Sequence, residues 1–208
     1  MKVLIIGGFL GSGKTSAILQ LARYIVRTAV TDSDYKVAIL ENEIGEVGVD
    51  DKVLKAGGYQ VENLFAGCAC CTMSGEVPFA VDRIQKDLSP EWLILEATGV
   101  AYPLSIKETL EGALGLECRI CAVVDVGRWH KMLRPLGSLL GTQLSDADTI
   151  LINKIDLADH ETLESVKESV SSFNPTATLL SISAAADIDD AVWEDVLGWT
   201  ALEDSKNE

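Results

Sequence analysis

The feature that most constrains the fold is a glycine-rich loop near the start of the chain. Four apolar residues, Val3–Ile6, run into the sequence Gly8-x4-Gly13-Lys14-Thr15, and a helical pattern with one apolar face follows at once. This order of strand, loop and helix is typical of the P-loop, whose backbone N–H groups surround phosphate oxygens. In such a loop Lys14 reaches the β- and γ-phosphates, and the Thr15 hydroxyl takes one coordination position of Mg²⁺. The candidate phosphate-binding residues are Gly8, Gly11, Ser12, Gly13, Lys14, Thr15 and Ser16.

Short apolar runs alternate with helical patterns along the rest of the chain. They are apolar on both faces, which is typical of parallel strands that are covered by helices on each side. The runs are Val3–Ile6, Val37–Leu40, Leu93–Leu95, Ile120–Val124, Ile150–Ile152 and Thr178–Ile182. The pattern predicts an α/β fold over residues 1–202, with one doubly wound, mostly parallel sheet and helices on both faces, and a disordered tail over residues 203–208. In such a sheet a ligand binds at the carboxyl ends of the strands.

Composition disfavours two classes of partner. The net charge of −15, from 32 acidic and 17 basic residues, disfavours a nucleic acid bound through its phosphate backbone. No apolar run approaches the roughly 18 residues of a membrane span, and the first apolar stretch is too short for a signal peptide. We therefore expect a cytoplasmic protein that binds neither nucleic acid nor membrane. Metal binding or thiol chemistry is then the expected use of a cysteine cluster.

Two segments after the second predicted strand carry candidate metal ligands. Residues 41–51 contain five carboxylates and fit either a cation site or a solvated acidic loop. Cys68, Cys70 and Cys71 follow within four positions, and their spacing admits a thiolate metal site. Three ligands at most would leave a coordination position open, which suits metal transfer better than permanent structural zinc. The alternative is that these cysteines are small buried thiols.

The third predicted strand ends in Glu96-Ala97-Thr98-Gly99. An acidic residue at a strand end that faces the P-loop can hold Mg²⁺ or its water, and the Gly99 backbone N–H can meet the γ-phosphate. This segment therefore predicts a sensor of nucleotide state. Together with Lys14 and Thr15, Glu96 is a candidate catalytic residue.

Cys118 and Cys121 have the spacing of a redox or zinc pair but belong to an apolar strand. Residues three apart in a strand lie on opposite faces of the sheet, so core cysteines are favoured over a site. His130, soon after Asp125, is a candidate ligand, although a surface or hydrogen-bonded histidine is the favoured interpretation.

The sequence Asn153-Lys154-Ile155-Asp156 follows a later strand and is typical of a guanine-binding segment. The Asp156 carboxylate can accept hydrogen bonds from the guanine N1–H and exocyclic amine, a donor pair that adenine lacks. Asn153 can help at the base, while the stem of Lys154 lies over the ring. A buried acceptor that would be unpaired by the wrong base discriminates strongly. Ser183 and Ala184, after the next strand, complete the predicted base pocket.

Taken together in this order, five motifs resemble those of the CobW-type GTPases, relatives of the UreG and HypB nickel-insertion GTPases that serve urease and hydrogenase maturation. The motifs are GGFLGSGKT, ENEIGEVGVDD, GCACCT, EATG and NKID. The resemblance covers residues 1–185 and implies a SIMIBI-like P-loop NTPase fold. It also implies slow GTP hydrolysis coupled to the handling of zinc, cobalt or nickel, and nucleotide-dependent homodimers. Typical members continue into a smaller C-terminal domain and often carry a His-rich segment, whereas this sequence has two histidines.

The resemblance also implies roles for individual residues. Cys68, Cys70 and Cys71 would be transition-metal ligands, with Glu41 or Glu46 as further ligands. Asp50 and Glu96 would belong to the Mg²⁺ and switch apparatus, together with Thr15.

Two functions of different classes follow from these patterns. The first is a GTP-hydrolysing metallochaperone that couples nucleotide state to delivery of Zn²⁺, Co²⁺ or Ni²⁺ to a recipient protein or to cofactor maturation. The second is a nucleotide-dependent assembly switch for a cofactor protein, such as a corrinoid protein, with structural or redox cysteines. An ATP-dependent small-molecule kinase conflicts with the Asn153–Asp156 segment.

Overall fold

The computed structural model describes residues 1–28, 35–41, 59–63 and 76–198, and for residues 41, 59–63 and 76 it describes the backbone alone. Several predicted site residues and the predicted tail therefore lie outside the described residues. They are Glu46, Asp50, Cys68, Cys70, Cys71 and residues 203–208.

The described residues form one sheet of seven strands, and every pair of neighbouring strands is parallel. The strands are β1 (Lys2–Gly7), β2 (Val37–Glu41), β3 (Tyr59–Asn63), β4 (Trp92–Glu96), β5 (Cys118–Asp125), β6 (Thr149–Asn153) and β7 (Thr178–Ser181). Their order across the sheet is β3-β2-β4-β1-β5-β6-β7. The predicted doubly wound α/β sheet is confirmed. The six predicted strands are present, and β3 is an additional one.

The described chain contains six α-helices, of which five lie between strands and the last follows β7. They are α1 (Lys14–Thr28), α2 (Glu76–Asp87), α3 (Pro103–Leu114), α4 (Trp129–Leu144), α5 (His160–Phe173) and α6 (Asp190–Leu197), with a short 3₁₀ turn at Ile155–Leu157. Local signals set several ends: Asp159 accepts a hydrogen bond from the Thr162 backbone N–H at 2.8 Å and so caps α5. Helix α4 contains Pro135 and is bent at Leu136, whose φ of −131° and ψ of 17° are not helical.

Two hydrophobic clusters cover the two faces of the sheet. On one face α1 and α6 pack against alternate strand residues, and on the other face α2, α3, α4 and α5 do so. Cys118 belongs to the second cluster and Cys121 to the first, and both are buried free thiols. Burial raises the pKa of each thiol to about 12. The interpretation of these two residues as core cysteines on opposite faces is confirmed.

The strand register brings predicted site residues together at the carboxyl ends of the strands, which form one edge of the sheet. Glu96, at the end of β4, lies level with Ile6 of β1 and with the backbone of Glu41 of β2. On the other side of β1, Asp125 of β5 lies level with Asn153 of β6. Within the described part of the chain, no helix combines the length and the apolar character that a membrane crossing requires.

Candidate functional site: a nucleotide-binding edge

Two glycines of the loop between β1 and α1 allow a close approach of neighbouring strands. Gly8 has φ +132°, and a Cβ there would lie 2.4 Å from the Val123 carbonyl oxygen of β5. Gly13 has φ +98°, and a Cβ there would lie 2.2 Å from the Asn153 Nδ2 atom. Both positions combine a left-handed backbone with a lack of space, so only glycine fits. The loop is therefore pressed against β5 and β6.

The three candidate catalytic residues meet at the start of α1. The Thr15 hydroxyl donates to the two Glu96 carboxylate oxygens at 3.3 and 3.4 Å. Lys14 Nζ lies 3.9 Å from Glu96 Oε1, and both side chains are almost fully buried. A hydroxyl and a carboxylate are oxygen ligands of the kind that Mg²⁺ prefers. The donor set therefore fits a magnesium ion, and the ammonium of Lys14 supplies positive charge beside it.

The turn that follows β4 touches the phosphate loop. A Cβ on Gly99 would lie 2.9 Å from the Leu10 backbone nitrogen. The turn is closed by a hydrogen bond from the Ala101 N–H to the Thr98 carbonyl at 3.0 Å. Its outer side is held by Gln143 of α4, whose Nε2 donates to the Gly99 carbonyl at 2.8 Å. Gly99 thus lies between the phosphate loop and a buried side chain.

Asn153 joins the phosphate loop to the predicted base pocket. Its Nδ2 donates to the Ser12 carbonyl at 2.8 Å, and its Oδ1 accepts from the backbone N–H groups of Lys154 at 2.7 Å and Ala184 at 2.9 Å. The side chain is 1% exposed. Because its amide is engaged by three backbone groups, Asn153 fixes the spacing of the segments that would hold base and phosphates.

Through its side chain, Lys154 links the phosphate loop to the end of β5. Its backbone has φ +67°, and its Nζ donates to the Gly11 carbonyl and to Asp125 Oδ2, each at 2.7 Å. The other oxygen of Asp125 accepts from the backbone N–H groups of Gly127 and Arg128. The Asp125 carboxylate thus anchors the ammonium, so the aliphatic stem of Lys154 is stretched between β6 and the phosphate loop.

The Ser183–Ala184 segment lies against Asp156. The Ser183 hydroxyl donates to Asp156 Oδ1 at 2.5 Å. Gln20 of α1 holds the loop from behind: its Nε2 donates to the carbonyls of Ala184 at 3.0 Å and Ala186 at 2.8 Å, and its Oε1 accepts from the Ile188 N–H at 3.1 Å. The helix that begins at the phosphate loop therefore also supports the base loop.

Sequence reasoning missed three residues that position this edge: Gln20, Gln143 and Arg128. Arg128 Nη1 donates to the Leu10 carbonyl at 3.0 Å. Each of these three side chains donates a hydrogen bond to backbone groups that are distant in the sequence, so no local sequence pattern identifies it. His130 is an exposed residue that is 3.1 Å from the Ser165 hydroxyl. Within the described ranges, no three His, Cys, Asp or Glu side chains cluster as a metal site.

The family comparison agrees with this geometry. The family model for the CobW/HypB/UreG nucleotide-binding domain matches residues 2–181. The chain belongs to this family. The match spans the phosphate loop, the Glu96–Gly99 turn and the Asn153–Asp156 segment, so the family domain contains every part of the edge except the Ser183–Ala184 segment.

Individual relatives have informative names. The chain is 32% identical to the zinc chaperone YjiA of Escherichia coli over 88% of its length, and 29% identical to a zinc-regulated GTPase metalloprotein activator of Dictyostelium discoideum over 86%. It spans 58% and 45% of those relatives. A crystal structure of the Zn(II)-bound YjiA GTPase matches with a TM-score of 0.66 and 26% identity, over 96% of this chain and 63% of that one.

Proposed function

We propose that this protein is a slow GTPase that binds a transition metal at Cys68, Cys70 and Cys71 and couples its nucleotide state to metal delivery. The observation that carries the proposal is the bonding of Asn153 to both the phosphate loop and the Ala184 segment. It favours a site built for one nucleotide, with base and phosphates held at a fixed spacing.

Guanine selection rests on Asp156. Its carboxylate is preset by the Ser183 hydroxyl at 2.5 Å and is free of a lysine or arginine partner among the described residues, because the ammonium of Lys154 is bonded to Asp125. A carboxylate acceptor pairs with the two adjacent donors of guanine, whereas adenine presents an acceptor at N1. Asp156 is exposed in the structure, not buried as predicted from the sequence, so the discrimination requires that the bound base itself covers the carboxylate. The wrong base would then leave a covered acceptor unpaired, which discriminates strongly.

Hydrolysis depends on charge and positioning at the start of α1. Lys14 would face the β- and γ-phosphates, and Thr15 and Glu96 would hold Mg²⁺ directly or through its water. The ion would neutralise charge that develops on the transferred phosphoryl group. Glu96 is 4% exposed, so its carboxylate acts in a poorly solvated setting where electrostatic effects are strong.

The metal is cargo in this proposal. The cysteines lie in the sequence between β3 and α2, and β3 ends level with Glu41, which in turn lies level with Glu96. Zinc is supported as the metal because the names of two relatives and one solved structure include it. The recipient would be a metalloprotein or a cofactor protein, and a nucleotide-dependent homodimer belongs to the same proposal.

The test combines nucleotide and metal titrations. The parent chain should bind a GTP analogue more tightly than an ATP analogue, and its affinity for Zn²⁺ should differ between the apo, GDP and GTP-analogue states. The triple variant Cys68→Ala, Cys70→Ala, Cys71→Ala should lose Zn²⁺ and keep GTP hydrolysis. Cys118→Ala, in the core, is the matched control and should keep both.

Two outcomes contradict the proposal. Equal Zn²⁺ affinity in all three nucleotide states removes the coupling and favours the assembly switch. Equal affinity for GTP and ATP analogues removes the guanine site.

A further inference from the structure

Helix α4 contacts the nucleotide-binding edge from both of its ends. Arg128, just before the helix, donates to the Leu10 carbonyl at 3.0 Å. Gln143, near its end, donates to the Gly99 carbonyl at 2.8 Å. The helix is bent at Leu136, and residues from both of its halves line a single crevice beside the phosphate loop. Because Leu10 and Gly99 touch each other, α4 holds both sides of one contact.

The Gln143 amide is unusual because it is buried within a helix whose neighbouring core residues are apolar. The residue is 3% exposed, and Leu140 and Leu144 beside it belong to the hydrophobic core. A polar group in such a place costs stability unless it is hydrogen-bonded. Its donors go to the Gly99 carbonyl at 2.8 Å and, at the long distance of 3.5 Å, to the Ala101 carbonyl. The bond to Gly99 is therefore the principal polar contact of this side chain.

Among the described residues, the other backbone hydrogen bonds of the turn that Gln143 holds lie at its ends. The Ala97 N–H donates to the Ile6 carbonyl at 2.9 Å, which continues the pairing of β4 with β1, and the Ala101 N–H closes the turn on Thr98. Gly99 lies between these points and has no side chain that could hold it in place. Its distance from the phosphate loop is consequently set by packing against Leu10 on one side and by Gln143 on the other.

We propose that Gln143 is a positioning residue for γ-phosphate recognition, which it serves by holding Gly99 at the edge of the phosphate loop. This inference rests on the proposed GTP site and adds a residue to it. GDP and GTP share the base, ribose and first two phosphates, and differ at the γ-phosphate alone. Loss of the Gln143 contact therefore weakens binding of GTP and leaves binding of GDP unchanged.

The test is the variant Gln143→Met, which keeps the length of the side chain and removes the donor. Binding of GDP and of a non-hydrolysable GTP analogue is measured by calorimetry with Mg²⁺ present. We expect affinity for the analogue to fall about five- to tenfold, the usual effect of one lost hydrogen bond, and affinity for GDP to change less than about twofold. Gln20→Met is the matched control, because it removes a similar amide behind the base loop and should weaken both nucleotides equally.

A second measurement uses the unaltered protein. Hydrogen exchange of a peptide covering residues 97–101 should slow when the GTP analogue binds and remain unchanged with GDP. Equal loss of both nucleotides in Gln143→Met, or no difference in exchange between the two states, overturns the inference and leaves the proposed function standing. Failure of the parent chain to bind either nucleotide overturns the proposed function as well.

Discussion

Replacement of Asn153 by alanine tests whether base and phosphates share one rigid site. The side chain makes three hydrogen bonds, to Ser12, Lys154 and Ala184, and is buried between them. Its removal leaves two N–H donors and one carbonyl without that partner.

The expected magnitude follows from those bonds. Each is worth about 1 kcal/mol, so the total loss is about 3 kcal/mol. Part of it lowers the free energy of unfolding, and the rest appears as lost nucleotide affinity, because binding must then order two loops that are no longer joined. If half of the loss falls on binding, GDP and GTP affinity each fall about tenfold.

The matched control is Asn174→Ala. Asn174 is also a buried asparagine, 3% exposed. Its Nδ2 donates to the carbonyls of Leu144 and Ala147, and its Oδ1 accepts from Thr176 and Ala177. It lies after α5, and these hydrogen-bond partners are outside the phosphate loop and the base loop. We expect this variant to lose a similar amount of unfolding free energy and to keep the nucleotide affinity of the parent.

The assay is urea unfolding of each variant, followed by GDP titration well below the unfolding midpoint. Asn153→Ala should lower both quantities, and Asn174→Ala should lower stability alone. The reasoning is refuted if both variants lose stability to the same extent and both bind GDP as the parent does.

Three further outcomes are expected. Gly13→Ala should abolish nucleotide binding in calorimetry, because its Cβ would lie 2.2 Å from the Asn153 Nδ2 atom at a φ of +98°; retained binding would show that the loop adapts. Asp156→Asn should lower GTP affinity by at least about tenfold and raise XTP affinity, because the amide then donates to the xanthine oxygen; an unchanged preference would exclude Asp156 from base recognition. Above pH 9 the unfolded thiols lose protons while Cys118 and Cys121, with pKa values raised to about 12, keep theirs, so stability should fall by up to about 1.4 kcal/mol per pH unit for each cysteine. Alkaline urea titrations of the Cys118→Ala, Cys121→Ala double variant should show a shallower fall than those of the parent, and identical slopes would contradict the assignment.

The parts of the fold that the sequence predicts are those encoded by neighbours along the chain. β1, the phosphate loop and α1 follow one another within 27 residues, Lys2 to Thr28, and periodicity identifies all three. Cys118 and Cys121 were placed on opposite faces by strand geometry alone. β3 was missed because Tyr59–Asn63 mixes polar and apolar residues. Among the described strands it pairs only with β2 at the sheet edge, where apolar character on both faces is not required.

The contacts that fix the candidate site are the least predictable part. Gln143 and Gly99 are 44 residues apart, and Gln20 and Ala184 are 164 apart. A glutamine in a helix usually faces solvent, so nothing in one sequence marks these two. Asn153 was predicted to help at the base, and the structure adds its bond to the phosphate loop. That bond depends on the closeness of β1, β5 and β6, which only the assembled sheet provides.

The order of the strands also separates the residues proposed to retain the nucleotide from those proposed to respond to the γ-phosphate. β1 lies between β4, which ends in Glu96, and the β5–β6 pair, which leads into Asn153 and Lys154. In the proposed function, departure of a γ-phosphate would alter contacts on the β4 side and leave the base side intact. GDP would then stay bound after hydrolysis, while β4 and the strand beside it, β2, would respond to the change. The timing of the chemical signal and the timing of nucleotide exchange would thus be set on opposite sides of one central strand.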